Sequence, residues 1–239
     1  MRLLVTRPED DARSLAGFLR MRGHEAVVAP LMEVHFPPGP PVPLEGVQAV
    51  LATSANGVRA LATRTKRRDL TIYAVGPQTA EAARQSGFTV VISADGDAAA
   101  LVETVVQDAD PAKGILLHAA GAETAGRVRQ ALAARGFRVE TIVLYEALPV
   151  TKLAANAEEA LRDDSLDGVM LFSPRSAKTF ATLVDAVGLA AHCVRLTAFC
   201  ISAATAEALA PLTFARVAIA GTPNQDAILD LLPASQSAP

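Results

Sequence analysis

An internal repeat constrains the fold of this chain more than any other feature. Sliding the 239 residues by 113 positions sets Leu3 and Leu4 on Leu116 and Leu117, Leu15 on Val128, Leu19 on Leu132, Gly23 on Gly136, Leu31 on Leu144 and Glu33 on Glu146. With small insertions, the stretch from Leu51 to Ala60 matches Met170 to Thr179, and Val75 to Ala82 matches Ile201 to Ala208. A period this long, present only twice, argues duplication; a solenoid needs three or more units. Each half then reads as β-α-β, a connector, and further β-α units. The connectors, Pro30 to Phe36 followed by the proline-rich run to Pro41, and Val143 to Pro149, look like extended crossings between two lobes. Sequence leaves open whether each half folds by itself or the halves exchange their later parts.

Short β-type runs alternate with longer Ala- and Leu-rich helical runs, the pattern of parallel sheets covered by crossover helices. The expected class is α/β. Strands are predicted at 3–6, 25–29, 47–53, 71–75, 89–92, 115–118, 138–143, 168–172, 195–201 and 215–218, enough for two sheets of about five. The first helix shows the logic: over 10–22, Leu15, Phe18 and Leu19 are spaced to face a sheet and Gly23 is placed to stop it. The tail from Ala234 is expected to fray.

With 51% hydrophobic and 20% charged residues the chain has ample material for packed cores and is not a disordered polymer. A net charge of −3 gives no global field for nucleic acid or acidic lipid, so neither partner is expected. Any anion must be held by local arrangement. Two cysteines, Cys193 and Cys200, are too few for a disulfide scaffold, and a reduced cytoplasm is the simplest compartment. Charge interrupts the first apolar run too early for a signal peptide, and 196–212 is broken by Glu207 and Pro211, short of the ~20 residues a bilayer span needs. No long apolar surface stripe is evident, so a monomer is expected.

Four segments share one layout, a strand running straight into a helix start through small or hydroxyl residues: Thr53 to Gly57, Gly76 to Thr79, Ser173 to Ser176 and Ser202 to Thr205. In a parallel sheet all such turns lie along the carboxyl edge, where unpaired N–H groups and the positive helix end form an anion site. Ordinary N-capping by Ser54, Ser173 and Ser202 would produce the same pattern, and both readings stand. Arg7, after the first strand, and Arg175 with Lys178 add candidate point charges. The run Arg64 to Arg68 follows a helix, where cations complement the helix C-terminus, and is read as a solvated face.

Other chemistries lack their signatures. Residues 121–127 imitate a P-loop without its Lys-Ser/Thr, no GxGxxG follows the first strand, and no nucleophile elbow is present. His24, His35, His118 and His192 show no metal-ligand spacing, so no metal is expected. His118 at a strand end could serve catalysis but reads equally as a structural histidine. Tyr145, in a predicted crossing, could face a cleft or be an ordinary half-buried strand residue.

The ordered set Leu4 to Pro8, Pro30-Leu31, Thr53 to Asn56, Ala74 to Ala80, Leu144-Tyr145, Leu171 to Pro174 and the weaker Ile201 to Ala206 resembles the uroporphyrinogen-III synthase family over nearly the whole chain. The resemblance implies two flavodoxin-like lobes joined by a two-stranded antiparallel ladder. One lobe would comprise 1–35 with 149–239 and the other 36–148, with crossings near 30–37 and 143–150. It implies the substrate hydroxymethylbilane, a linear tetrapyrrole with eight carboxylates, cyclised with loss of water and inversion of ring D. It also implies no cofactor, and a handover from hydroxymethylbilane synthase.

By the same resemblance Tyr145 falls on a crossing tyrosine proposed as general acid, Thr205 on the threonine of the last turn, and Ser54 and Ser173 on its turn serines. Arg7, Ser54, Ala55, Asn56, Gly76, Thr79, Ser173, Arg175, Ser176 and Thr205 are the candidate binding residues. One departure stands out: Ser202-Ala203 replaces the family's usual Gly-Pro in the last turn. The competing readings are a non-catalytic two-lobed binder of a tetrapyrrole or other polycarboxylate, and a nucleotide-sugar transferase, which would need an acidic metal-binding motif that is not found.

Overall fold

The computed structural model describes residues 1–122 and 126–233. The 123–125 part of the P-loop-like run and the tail from 234 lie outside the described residues. From the N-terminus the chain forms β1 (Arg2–Val5), α1 (Glu9–Met21), β2 (Glu25–Val28), β3 (Met32–His35), β4 (Val47–Ala52), α2 (Ala55–Arg64), β5 (Thr71–Ala74), α3 (Pro77–Gln85), β6 (Val90–Ser93) and α4 (Ala98–Asp108). It continues through β7 (Ile115–Gly121), α5 (Arg127–Ala133), β8 (Val139–Pro149), α6 (Ala155–Arg162), β9 (Gly168–Leu171), α7 (Pro174–Ala186), β10 (Thr197–Cys200), α8 (Ala203–Glu207), β11 (Arg216–Ile219) and α9 (Gln225–Leu229).

The strands form two sheets, ordered β11-β10-β9-β1-β2 and β3-β8-β7-β4-β5-β6. The ladders β1–β2, β1–β9, β9–β10, β10–β11, β4–β5, β4–β7, β5–β6 and β7–β8 are all parallel. Strands related by the 113-residue shift hold matched places. β1, which carries Leu3 and Leu4, lies between β9 and β2, and β7, which carries Leu116 and Leu117, lies between β4 and β8.

Two compact units result, Met1–Glu33 with Leu148–Pro239, and Val34–Ala147. Each has apolar side chains on both faces of its sheet, as parallel sheets require. In the first unit Leu4, Val169 and Phe180 pack on one side, and Leu3, Leu15 and Met170 on the other. In the second, Val50, Ile72 and Leu117 face α2 and α3, while Leu51, Tyr73 and Leu116 face α4 and α5.

Three local expectations change. Phe18 does not face the sheet: the buried stripe of α1 is Ala12, Leu15, Ala16 and Leu19, and Phe18 sits off that i, i+3, i+4, i+7 line, 44% exposed. The crossing at residues 30–36, absent from the ten predicted strands, contains Met32–His35, a strand beside β8 that makes the second sheet six-stranded. The run 64–68 is not simply a solvated face. Arg64 donates to the carbonyls of Pro40 at 2.8 Å and Pro37 at 3.2 Å, anchoring the proline-rich connector. Arg68 donates to Ala62, Thr65 and Ser86 carbonyls and stacks over Phe88 at 5.0 Å, closing the C-terminal end of α2.

Phe180 is fully buried in α7. Phe180→Ala is expected to lower the stability of the protein by about 3–5 kcal/mol in urea unfolding, as for other large-to-small core changes.

Candidate functional site

Because neighbouring strands run parallel, each helix that follows a strand begins at the same edge of its sheet. At the first unit's carboxyl edge lie the turn after β1, the β9–α7 turn at Ser173 and the β10–α8 turn at Ser202. At the second unit's lie the β4–α2 turn at Ser54, the β5–α3 turn at Gly76, and Tyr145 where β8 passes the end of β7.

The serine hydroxyls act as N-caps. Ser54 Oγ accepts from Asn56 N at 3.1 Å, Ser173 Oγ from Ser176 N at 3.1 Å, and Ser202 Oγ from Thr205 N at 3.3 Å. Each cap satisfies one of the N–H groups that a helix start leaves over, and the positive helix end keeps the turn suited to an anion. Ala55 begins α2 directly after its cap, and Arg175 occupies the second position of α7 behind Pro174, which has no N–H to give. Gly76 caps α3 with backbone alone, and Pro77 again removes one donor.

Several candidate side chains are turned inward. Thr205 is fully buried with Oγ1 3.0 Å from Ser202 Oγ, and Thr79 and Ser176 are each 5% exposed. Ser176 Oγ donates to Ser173 O at 2.9 Å. Asn56 accepts from Arg59 Nη1 at 2.8 Å. The Ser176 and Thr205 hydroxyls and the Asn56 amide therefore bond close to their own turns, Thr79 is buried, and the half-buried Ser54, Gly76, Ser173 and Arg175 reach the surface of each edge. In the last turn, Ser202 takes extended backbone with φ −159°, so serine in place of glycine carries no strain there, and its hydroxyl folds back onto α8.

Arg7 is engaged within its own unit. Its guanidinium bridges Asp11 at 3.0 Å and Gln225 at 3.1 Å and stacks over Phe172 at 4.7 Å. Its charge is thereby shared with a carboxylate at the same edge. Lys178 projects into solvent one turn into α7.

Tyr145 is 7% exposed and sits at a register shift in the β7–β8 ladder, where Ala120 pairs with Val143 but Gly121 with Tyr145. Two glycines make room for it. A Cβ on Gly121 would lie 2.6 Å from Tyr145 Cζ. One on Gly57, in the first turn of α2, would strike the Ala119 carbonyl oxygen and sit 3.7 Å from Tyr145 Cε1. The structure thus brings Tyr145 against the α2 start that Ser54 caps. Sequence reasoning missed Gly57 and Gly121 as site-shaping residues; the only signal was that both fall in segments already singled out.

His118 is fully buried on β7, its Nε2 3.1 Å from Thr53 Oγ1 and its Nδ1 unpartnered. Burial holds its imidazole below the ordinary value of 6.5, so it is neutral at physiological pH. Cys193 and Cys200 are free and buried, their thiols pushed up to about 11 by desolvation, which keeps them protonated. Among the described residues no cluster of three His, Cys, Asp or Glu side chains is placed to hold a metal ion, and no helix is long and apolar enough to cross a membrane.

Comparison with known proteins gives consistent findings. The family model described as uroporphyrinogen-III synthase HemD matches residues 13–230. A protein named uroporphyrinogen-III synthase from Synechococcus elongatus is 29% identical over 199 residues, covering 76% of this chain and 74% of that protein. The crystal structure of uroporphyrinogen-III synthetase from Helicobacter pylori superposes with a TM-score of 0.63 at 20% identity, covering 97% of this chain and 98% of the other, and shows a shared fold.

Two outcomes follow from this geometry. Gly57→Ala is expected to destabilise the protein by about 1–3 kcal/mol, because the neighbour that must yield is backbone; thermal or urea unfolding reads it. The buried His118 binds a proton more readily when unfolded than when folded. Its contribution to stability is complete above about 6.5 and is lost as pH falls through the interval below, toward the depressed folded value. His24, lowered chiefly by burial and then by the N-terminal ammonium, adds to the same trend. Urea unfolding between about pH 7 and 5 should show stability falling, with a shallower slope in His118→Gln.

Proposed function

Since the chain belongs to the uroporphyrinogen-III synthase family, we propose that it is a cyclising lyase which closes hydroxymethylbilane to uroporphyrinogen III, with loss of water and inversion of ring D. One observation carries the reading: the family match runs from residue 13 to 230 and so includes the capped turns of both sheets. No observation favours the non-catalytic binder or the nucleotide-sugar transferase.

The arrangement suits a ligand with eight carboxylates and no phosphate. Such a molecule needs many separate donors, and each helix start contributes about 0.3–1 kcal/mol toward a nearby anion. Candidate carboxylate positions are the α2 start near Ser54 and Ala55 and the Gly76 turn in the second unit, and the α7 start near Ser173 and Arg175 in the first. Asn56, Thr79, Ser176 and Thr205 support those turns from within, and Arg7 does so through its bridge to Asp11. An acidic protein can bind an octaacid in this way because the positive ends are local.

The free bilane cyclises by itself to the uninverted isomer, so the protein's main contribution is orientation of the two terminal rings. The ring A hydroxyl leaves as water, which leaves an electrophilic azafulvene. The substituted carbon of ring D attacks it, and the spiro intermediate fragments and recloses with ring D inverted. Tyr145 is assigned the proton delivered to the departing hydroxyl, its ring held between Gly57 and Gly121. The two units are read as flavodoxin-like lobes from one duplication, a reading supported by their matched strand orders. A monomeric, cytoplasmic protein that receives its substrate from hydroxymethylbilane synthase completes the proposal.

Hydroxymethylbilane supplied to the protein should give type III isomer in excess over a no-enzyme control after oxidation and chromatography; a product ratio equal to the control would overturn the assignment. Tyr145→Phe should reduce the rate by less than the ~10²–10⁴ typical of a dominant general acid. A larger loss would reject orientation as the main term.

A further inference from the structure

β7 is the central strand of the second unit's site. Toward its carboxyl end Gly121 makes room for Tyr145, and three residues earlier it places His118 level with Leu51 of β4 and Thr141 of β8. Thr53 lies two residues beyond Leu51, on the same face of the sheet, and is joined to His118 Nε2 at 3.1 Å. Thr53 immediately precedes Ser54, whose hydroxyl caps α2.

A fully buried imidazole with one nitrogen unpartnered is uncommon, because buried polar atoms are normally satisfied. Orphaned N–H donors are rarer than orphaned acceptors. With the proton of the neutral ring on Nε2, that nitrogen donates to Thr53 Oγ1 and Nδ1 presents only a lone pair to the interior, so that no buried N–H is orphaned. Thr141, the register partner of His118, likewise has a buried hydroxyl without a hydrogen-bond partner. A leucine here would pack without that penalty. What the histidine supplies and leucine cannot is a fixed hold on Thr53.

We propose that His118 is a positioning residue for the Thr53–Asn56 turn: through Nε2 it locks the rotamer of Thr53, and with it the direction in which the start of α2 presents its N–H groups to substrate. This rests on the reading that the Ser54 turn receives a substrate carboxylate. The ring touches no reacting atom and transfers no proton in the reaction.

The test compares His118→Leu, His118→Gln, Thr53→Val and the pair His118→Leu with Thr53→Val, in initial-rate assays on hydroxymethylbilane corrected for spontaneous closure, with unfolding measured alongside. Ser54→Gly serves as the probe of the turn itself. His118→Leu and Thr53→Val should each raise KM about five-fold, the ratio corresponding to loss of one internal hydrogen bond, with kcat changed less than two-fold. The double variant should be no worse than either single one, because both remove the same bond. His118→Gln, whose amide N–H reaches a similar position, should restore KM toward that of the parent protein. Nitrogen-15 NMR of the parent should show Nε2 protonated and Nδ1 bare.

If Ser54→Gly raises KM while His118→Leu and Thr53→Val do not, the positioning role is wrong and the binding turn stands. If all three leave KM unchanged, the binding turn itself is wrong and the inference falls with it. Equal effects of His118→Gln and His118→Leu, with KM tracking lost stability, would make His118 a core residue only. Should His118→Leu fail to fold, Thr53→Val and His118→Gln decide the matter, since neither removes core volume.

Discussion

A parallel strand followed by a crossover helix has one geometric consequence on which the rest of this protein depends: the helix must begin where the strand ends. Every β-α step therefore delivers its unpaired N–H groups and its positive end to the same edge. Sheets order themselves by burying apolar side chains on both faces, as Leu4 and Leu3 do in one unit and Val50 and Leu51 in the other. The edge follows from the packing. The positive potential at this edge thus comes from the backbone and needs no basic surface, in a chain of net charge −3.

Around that edge the side chains divide between shaping the turns and facing outward. Ser54, Ser173 and Ser202 tie down one N–H each. Thr205, Thr79 and Ser176 are withdrawn from solvent. Such small, internally satisfied turns are held at low conformational cost. Tyr145 belongs to the same logic. Its ring is located by two positions without a Cβ, Gly57 and Gly121, so its direction is set by backbone, not by a flexible neighbour.

The strand matches add an architectural point. β1 and β7, which the 113-residue shift sets on one another, each sit beside a strand distant in sequence: β1 beside β9, and β7 beside β4. The chain achieves this with two passages, one at β3 and one at β8, within which the limits of the two compact units fall. The proline-rich stretch after the first passage is tied down by Arg64, a residue whose local sequence suggested only a solvated cation.

Sequence alone determined what is periodic or local. The alternation of strands and helices, the class α/β, and the capped turns at Ser54, Ser173 and Ser202 were all legible, because apolar spacing and hydroxyl placement act over a few residues. Three things were decided only by tertiary structure. Which strands neighbour one another depends on sheet order, which pairs residues as distant as Leu3 and Gly168. Arg7's engagement depends on Asp11, Phe172 and Gln225 meeting around it. The room for Tyr145 and the meeting of His118 Nε2 with Thr53 Oγ1 depend on register across β4, β7 and β8. Their common cause is that register and burial arise from contacts between segments far apart in the chain, and no local pattern of residue types encodes which of those segments will be neighbours.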